Sequence, residues 1–102
     1  MLALSRVSRL GMSSTIQHDA IARRFSTRVD GVDCLLEYDL AGSVMTITRT
    51  EVPAAVGGRG IAGALVQSAL EVARANGWRV VPACSYAAAW MKRHPAYADL
   101  QA

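Results

Sequence analysis

The stretch from Glu51 to Gly77 constrains this chain most, because it places four glycines within seven positions directly before a long amphipathic segment. Glycine lets the backbone adopt positive φ and approach a ligand closely. A helix that begins behind such a turn presents unpaired N–H groups and a partial positive charge. The stretch therefore predicts an anion-binding site, most often one for phosphate.

Two helices and one strand are predicted from the glycines onward. Apolar residues recur with a 3.6-residue period from Gly60 to Asn76, and Gly77 supplies the stop signal of this helix. Trp78 to Val81 predicts a short strand, and Ser85 to His94 predicts a second helix that ends before a proline. Because a crossover helix precedes the short strand, we expect it to lie parallel to its neighbour and to be buried on both faces.

Three strands are predicted before the glycines, at Arg24 to Val29, Val32 to Leu40 and Val44 to Val52. The dipeptide Asp30-Gly31 joins the first two by a tight hairpin, since both positions tolerate positive φ. Period-two alternation predicts that the inward residues of the second strand are Cys34, Leu36, Tyr38 and Leu40. In the third strand it predicts that Thr46, Thr48 and Thr50 lie on the face opposite Met45 and Ile47. The order β-β-β-α-β-α predicts an α+β fold, with helices packed on a mostly antiparallel sheet.

A chain of 102 residues with 52% hydrophobic residues has enough apolar content for one core. Residues 1–17 look different, being rich in arginine and serine with no acidic residue, so we assign the domain to residues 18–102. The first segment is predicted to be a disordered leader, a stretch before a later start at Met12, or a targeting presequence. No metal-ligand spacing surrounds the two cysteines, which predicts free thiols in a reducing compartment. We therefore expect a cytoplasmic protein, or an organellar one if residues 1–17 are a transit peptide.

The net charge of +3 rests almost wholly on arginine and favours an anionic partner. Nucleic acid is not expected as that partner, because no aromatic platform or recognised motif is present. No apolar run approaches the length of a membrane span, so a membrane partner is not expected either.

Residues 58–63, which read GRGIAG, also fit the dinucleotide fingerprint G-x-G-x-x-G. That motif needs a parallel βαβ unit and an acidic residue about 20 positions further on. Here hairpins precede the glycines, and no Asp or Glu occurs between Val72 and Ala98. A Walker loop is excluded because no Gly-Lys-Ser/Thr follows. A tight turn alone requires one or two glycines, so four favour binding of a pyrophosphate.

Several short motifs in this order resemble the GNAT acyltransferase superfamily, and more narrowly its small single-domain members of the YjdJ or NATD type. They are Thr50 to Pro53, Gly58 to Ala62, Val81 to Tyr86 and His94 to Tyr97. The resemblance runs from about Phe25 to Leu100, which is nearly the whole domain.

The resemblance implies an acetyl-CoA-dependent N-acetyltransferase acting on a small-molecule or peptide amine, with a monomer favoured. It implies that the backbone amides of Val56 to Ala62 surround the CoA pyrophosphate, while the pantetheine arm runs beside the third strand. Gly57 stands where the loop pattern has Arg or Gln, and Arg49 stands where a histidine is common, so that base is missing here. The implied cofactor-binding residues are Val52, Val56, Gly57, Gly58, Arg59, Gly60, Ile61 and Ala62. Arg93 is a further candidate, which, like Arg79 and Lys92, would meet the CoA 3′-phosphate or be a solvated charge.

Three residues are candidates for catalysis: Cys84, Tyr86 and Glu51. Cys84 precedes a predicted helix, whose positive end favours a thiolate, and is a candidate nucleophile; the alternative is a small half-buried residue. Tyr86 would protonate the leaving CoA thiolate or else serve as a core ring. Glu51 is the only carboxylate beside the glycine motif, where it acts as a base or merely caps the turn. A CoA-binding module with little or no transferase activity therefore stays open.

Overall fold

The computed structural model describes residues 15–102, and a five-stranded sheet with two helices makes up most of this part of the chain. The sheet order is the chain order, and all neighbours pair antiparallel except the last two strands, which run parallel. The strands are β1 (Gln17–Asp19), β2 (Arg24–Val29), β3 (Val32–Ala41), β4 (Val44–Glu51) and β5 (Arg79–Pro82). The helices are α1 (Ile61–Asn76) and α2 (Ser85–Arg93). The α+β fold predicted from the sequence is confirmed.

Tight turns set the antiparallel part of the sheet, as the sequence predicts. Asp30 and Gly31 have φ values of 50° and 76°, and positive φ at both positions is what a type I′ turn requires. This turn matches the twist of β2 and β3, so the two strands pair along their full shared length. Gly42, with φ 60°, turns β3 into β4.

The sequence pattern does not reveal β1. Its three residues are all exposed, so they show no alternation that would predict a strand. It is held on β2 by the ring of His18, which stacks on Phe25 at 4.1 Å and lies with Nε2 2.6 Å from the Tyr38 hydroxyl. Burial lowers the pKa of His18, against a smaller raising effect of Asp19. Of the predicted leader, residues 1–14 lie outside the described residues, whereas Gln17 pairs with Ser26 in the sheet.

Both helices pack on one face of the sheet and share a single core with it. The alternation predicted for β3 is confirmed, because its inward residues belong to this core, and Cys34 is fully buried there. Gly77 ends α1 in the left-handed conformation, as predicted. Within residues 15–102, no helix is long and apolar enough to cross a membrane. The largest fully buried side chains are Phe25, Leu36, Met45, Ile47, Leu65 and Leu70.

The prediction that β5 is buried on both faces is wrong, although its parallel pairing with β4 is confirmed. Val80 is fully buried, but Val81 on the other face is 37% exposed and Arg79 is exposed as well. The reason is that α1 and α2 lie on the same side and leave the opposite face open. That open face carries ion pairs between strands, such as Arg28 with Asp33.

The chain after α2 closes the outer edge of β5. A 3-10 turn, Pro95–Leu100, places Tyr97 and Leu100 in the core. The amide of Ala102 then donates to the Val80 carbonyl over 2.9 Å, so the edge of β5 is covered. On the side of α1, Arg74 holds the turn by donating to the Asp99 carboxylate and to a backbone carbonyl.

Candidate functional site

A β-bulge in β4 shapes the candidate site. The register of β3 with β4 pairs Glu37 with Arg49 and Tyr38 with Ile47, which leaves Thr48 as an extra residue without a partner. A bulge of this kind changes which face the following side chains point to.

The bulge brings Thr50 to the core face of the sheet. Thr50 pairs with Leu36, which is fully buried on that face, and its Oγ1 lies 3.5 Å from the Cys84 Sγ. The prediction that Thr50 lies opposite Met45 and Ile47 is therefore wrong, because unbroken alternation was assumed through Thr48. Thr50 is a site residue that sequence reasoning missed.

The parallel strands β4 and β5 separate at this point. β5 ends at Pro82, opposite Ile47, and the amides of Ala83 and Cys84 both donate to the Ile47 carbonyl over 3.0 Å. The chain then leaves the sheet for α2, so β4 beyond Ile47 has a strand only on its β3 side within the described part of the chain. The result is a notch bordered by Thr50 and Cys84 (the thiol corner).

The loop between β4 and α1 begins with a 3-10 turn, Ala54–Val56. The amide of Val56 donates to the Pro53 carbonyl over 3.0 Å, and the amide of Gly57 donates to the Ala54 carbonyl over 3.1 Å. These two N–H groups are therefore occupied. Of the amides predicted to surround the pyrophosphate, those of residues 58–62 remain. The Val56 side chain is buried in the core.

The remaining loop residues leave their amides available. Gly58 and Gly60 have φ values of 76° and 78°, and a Cβ built on either meets nothing within 4 Å. Gly60 is the N-cap of α1 and provides no side-chain cap. Within residues 15–102 the amides of residues 58–62 donate no hydrogen bond to another backbone carbonyl. The start of α1 is thus the kind of uncapped helix N-terminus that binds anions.

Gly63 has a different role from the other glycines. A Cβ at this position would lie 3.0 Å from the Trp90 Nε1 and 3.4 Å from the Tyr86 hydroxyl. Gly63 therefore allows α2 to approach α1 closely, and only Gly57, Gly58 and Gly60 belong to the loop itself.

A cleft of about 340 Å³ lies over the loop (the glycine cleft). The walls combine the loop with one residue from the end of β4 and one from the first turn of α2, Val52 and Tyr86. Val52 and Tyr86 each stand two residues from a member of the thiol corner, so the glycine cleft and the thiol corner are neighbours. The lining residues are Val52, Gly57, Gly58, Gly60, Ile61, Ala62 and Tyr86.

Two larger hollows lie elsewhere and contain neither the glycine loop nor Cys84. One, of about 560 Å³, is next to β1 and β2 and includes the paired Arg28 and Asp33. The other, of about 580 Å³, runs between His18 and the outer side of α1. Of these three hollows, the glycine cleft is the one that combines backbone donors lacking a backbone acceptor with a neighbouring thiol, so we take it as the candidate functional site.

Arg59 and Arg93, the two arginines predicted to contact the cofactor, lie in different places. Arg59 leans away from the cleft, and its Nη1 donates to the Asp30 carboxylate over 2.7 Å. Arg93 is exposed in the last turn of α2, about 10 Å along the helix axis from Tyr86 at 1.5 Å per residue. The structure therefore does not bring Arg93 to the glycine cleft.

Cys84 is the N-cap of α2, as predicted. Its backbone is extended, and its sulfur accepts a hydrogen bond from the Ala87 amide at 3.3 Å. The thiol is half-buried, so it is reachable from the notch. The sulfur therefore caps the positive end of α2.

Glu51 does not join Cys84 and Tyr86. It follows Thr50 in β4, and successive strand residues point to opposite faces. Its carboxylate is paired with Arg49, which also lies 3.8 Å from Glu37 on the open face. Within residues 15–102, no group of three or more His, Cys, Asp or Glu side chains is arranged to hold a metal ion.

The fold, with two helices packed on a mostly antiparallel sheet, agrees with the comparison with known families. The family model described as "GCN5-related N-acetyl-transferase" matches residues 24–100. The chain therefore belongs to the GCN5-related N-acetyltransferase family.

Among its relatives, Protein NATD1 of Bos taurus is 32% identical over 88 residues, which span 83% of this chain and 78% of that protein. Protein NATD1 of Homo sapiens is 31% identical, with the same coverage of 83% and 78%. The solution structure of a GCN5-like putative N-acetyltransferase from Staphylococcus aureus matches with a TM-score of 0.70 at 22% identity, covering 86% of this chain and 87% of that one. At that identity the likeness supports the fold alone.

Proposed function

We propose that this protein is an acetyl-CoA-dependent N-acetyltransferase that passes the acetyl group through Cys84. The observation that carries the proposal is the adjacency of two parts. The glycine cleft offers free backbone donors for a pyrophosphate, and the half-buried thiol of Cys84 lies two residues from the cleft residue Tyr86. Acetyl-CoA carries a pyrophosphate at a distance from its thioester, so it matches both parts.

The pyrophosphate is held by the amides of residues 58–62 at the uncapped start of α1. These amides donate to no backbone carbonyl within residues 15–102, and hydrogen bonds from N–H groups to a charged oxygen are the stronger kind. Val52 lines the path from the loop toward Thr50 and contacts the pantetheine arm. Neither Arg59, which is paired with Asp30, nor Arg93, at the far end of α2, contributes to this set of donors in the free protein.

The first chemical step is the attack of the Cys84 thiolate on the acetyl carbonyl carbon. A new C–S bond forms on Cys84, and the C–S bond to CoA breaks. The Ala87 amide donates to the sulfur, and the Thr50 hydroxyl lies within hydrogen-bond reach of it, so both act on the thiolate before attack. The departing CoA thiolate takes a proton from the hydroxyl of Tyr86, a residue that lines the glycine cleft.

In the second step a neutral amine attacks the acetyl-Cys84 thioester. The N–C bond forms, the C–S bond to Cys84 breaks, and the Cys84 thiolate is released for another cycle, while the proton of the amine passes to the Tyr86 phenolate left by the first step. The acceptor that we propose is a small-molecule or peptide amine, and the setting that we propose is a cytoplasmic monomer. Release of CoA in the presence of a panel of amines, compared with release without amine, checks the acceptor class.

One observation favours a second candidate function, a CoA-binding module with little or no transferase activity. Direct transfer to an amine requires a base, and the carboxylate of Glu51 is turned to the open face and paired with Arg49. Without the cysteine route, no Tyr86 phenolate is left by a first step, so the glycine cleft would bind CoA but lack a group to deprotonate an acceptor.

Intact mass after incubation with acetyl-CoA decides between the two. The cysteine route predicts one acetyl adduct on wild type and none on Cys84→Ser, which keeps a capping oxygen at the start of α2. An equal adduct on Cys84→Ser, or no adduct at all, contradicts the acyl-enzyme. Calorimetry with CoA runs beside it: heat without an adduct supports the binding module, and no heat contradicts both candidates.

A further inference from the structure

Arg59 is the single basic residue between Arg49 and Arg74 in the sequence, so it is the local cation of the glycine loop. Its guanidinium is not free. Nη1 donates over 2.7 Å to Oδ2 of Asp30, which lies 29 residues earlier in the turn between β2 and β3. The hairpin turn thus reaches the loop and neutralises its charge.

This ion pair conflicts with the binding of a phosphate. A phosphate bound by Arg59 in its present position would lie close to the Asp30 carboxylate, and charges of the same sign repel each other. Arg59 therefore binds a phosphate best once its ion pair with Asp30 is broken. Both side chains are free enough to separate, with 49% exposure for Arg59 and 67% for Asp30.

We propose that Asp30 is an affinity-setting residue of the anion site: it holds Arg59 in the free protein and yields it to the phosphates of the bound CoA. This inference rests on the proposed function. Asp30 competes with the ligand for one guanidinium, so its charge lowers the affinity for CoA. Removing that charge raises the affinity.

The size of the effect follows from the exposure of the pair. Exposed ion pairs change an equilibrium constant by up to about fivefold. Such a contact is weak enough for a phosphate to displace it, yet large enough to measure. We expect Asp30→Asn to bind CoA about two- to fivefold more tightly than wild type at equal ionic strength.

Asparagine is the right replacement at this position. Asp30 has φ 50°, a conformation in which Asn is among the best tolerated residues, and Asn-Gly is a favoured hairpin pair. The turn is therefore retained while the charge is removed. Thermal melts of the variant check this directly.

The same hairpin offers a matched control in Asp33. It pairs with Arg28 over 2.9 Å, and the two side chains are 73% and 66% exposed, so Asp33→Asn removes an equally exposed charge without touching the loop. Any gain in CoA affinity seen with Asp33→Asn measures the general change in net charge.

The experiment is calorimetric titration of CoA into wild type, Asp30→Asn, Asp33→Asn, Arg59→Gln and the double variant Asp30→Asn/Arg59→Gln. The proposal expects tighter binding for Asp30→Asn than for Asp33→Asn, and no such gain in the Arg59→Gln background. Equal affinity of Asp30→Asn and wild type, weaker binding, or a gain that persists without Arg59 overturns it while leaving the proposed function intact. If no variant binds CoA, the proposed function and this inference both fall.

Discussion

The two helices of this protein start in opposite ways, although both begin where a strand of the parallel pair ends. At the start of α1 the N-cap is Gly60, which offers no side chain to the free amides behind it. At the start of α2 the N-cap is Cys84, whose sulfur accepts a hydrogen bond from the Ala87 amide. The start of α1 is therefore open, with free amides, whereas the start of α2 is closed by the Cys84 sulfur.

This difference suggests a division of labour between the two starts. An open start leaves N–H groups and a positive partial charge for a ligand anion. A closed start places its own capping atom, the Cys84 sulfur, at the positive end of the helix. The helix ends thus match the two ends of the proposed ligand, the pyrophosphate and the thioester, and each start is tested by changing its N-cap or its surroundings.

Filling the open start has the largest expected effect. Gly60→Val forces a β-branched residue into φ 78° and projects methyl groups into the glycine cleft. We expect CoA affinity to fall by at least about tenfold, as for the loss of one hydrogen bond to a charged group. Calorimetric titration with CoA measures the loss.

Gly42→Val is the control for backbone strain, because Gly42 has φ 60° and also meets nothing within 4 Å, yet it lies in the turn between β3 and β4. Both variants should melt at lower temperature by similar amounts. If Gly42→Val loses as much CoA affinity as Gly60→Val, the effect comes from strain, and the open start of α1 is not the anion site.

The contact between the two helix starts gives the next largest effect. Gly63→Ala gains helix propensity of about 1 kcal/mol but places a methyl group 3.0 Å from the Trp90 Nε1. Trp90 cannot easily move, since its other side stacks on His94 at 3.7 Å. Overpacking of about 1–3 kcal/mol then outweighs the gain, and the free energy of unfolding falls.

Chemical denaturation measures that loss, and the background variant Trp90→Phe tests its cause. The smaller ring gives the new methyl group room, so Gly63→Ala should stabilise the protein in that background through helix propensity. An equal loss in both backgrounds would show that Gly63 is required for another reason than the approach of Trp90.

Removing the cap of the closed start has a smaller effect on stability. Cys84→Ala deprives the Ala87 amide of its acceptor, and the loss of an N-cap lowers the free energy of unfolding by about 1 kcal/mol. Cys84→Ser should retain most of the stability, since a hydroxyl oxygen is a good N-cap. Equal denaturation midpoints for Cys84→Ala and wild type would contradict a capping role for the sulfur.

Local sequence was enough to predict the parts of the fold that depend on neighbouring residues. Asp30-Gly31 predicted its hairpin because positive φ is a property of those two positions. The period of α1 and its stop at Gly77 were also readable, as was the position of Cys84 before α2. These features locate the glycine loop and the Cys84 cap of α2 in the sequence.

The features that were missed depend on residues far apart in the chain. The bulge that turns Thr50 toward Cys84 is set by the register with β3, which no local pattern records. The role of Gly63 depends on Trp90, on another helix, and the pairing of Arg59 with Asp30 joins two turns. Such contacts arise from tertiary packing. The sequence therefore predicted where the glycine loop and Cys84 lie along the chain, but not which distant residues they contact.

The smallest expected effect concerns the C-terminal end of α1, where Arg74 forms an ion pair with Asp99. The guanidinium of Arg74, through its hydrogen bonds, holds the pKa of the Asp99 carboxyl below its usual value. A lowered pKa adds stability above the usual carboxyl value, and this contribution is lost as the pH falls through the lowered pKa. Asp99→Asn should therefore lower the melting temperature slightly at pH 7, as expected for an exposed ion pair.

The difference in melting temperature from wild type should close at acidic pH, where Asp99 is protonated, and CoA affinity at pH 7 should be unchanged. A gap that does not narrow with acid would show that Asp99 acts through packing, and a fall in CoA affinity would show that the open start of α1 depends on this anchor.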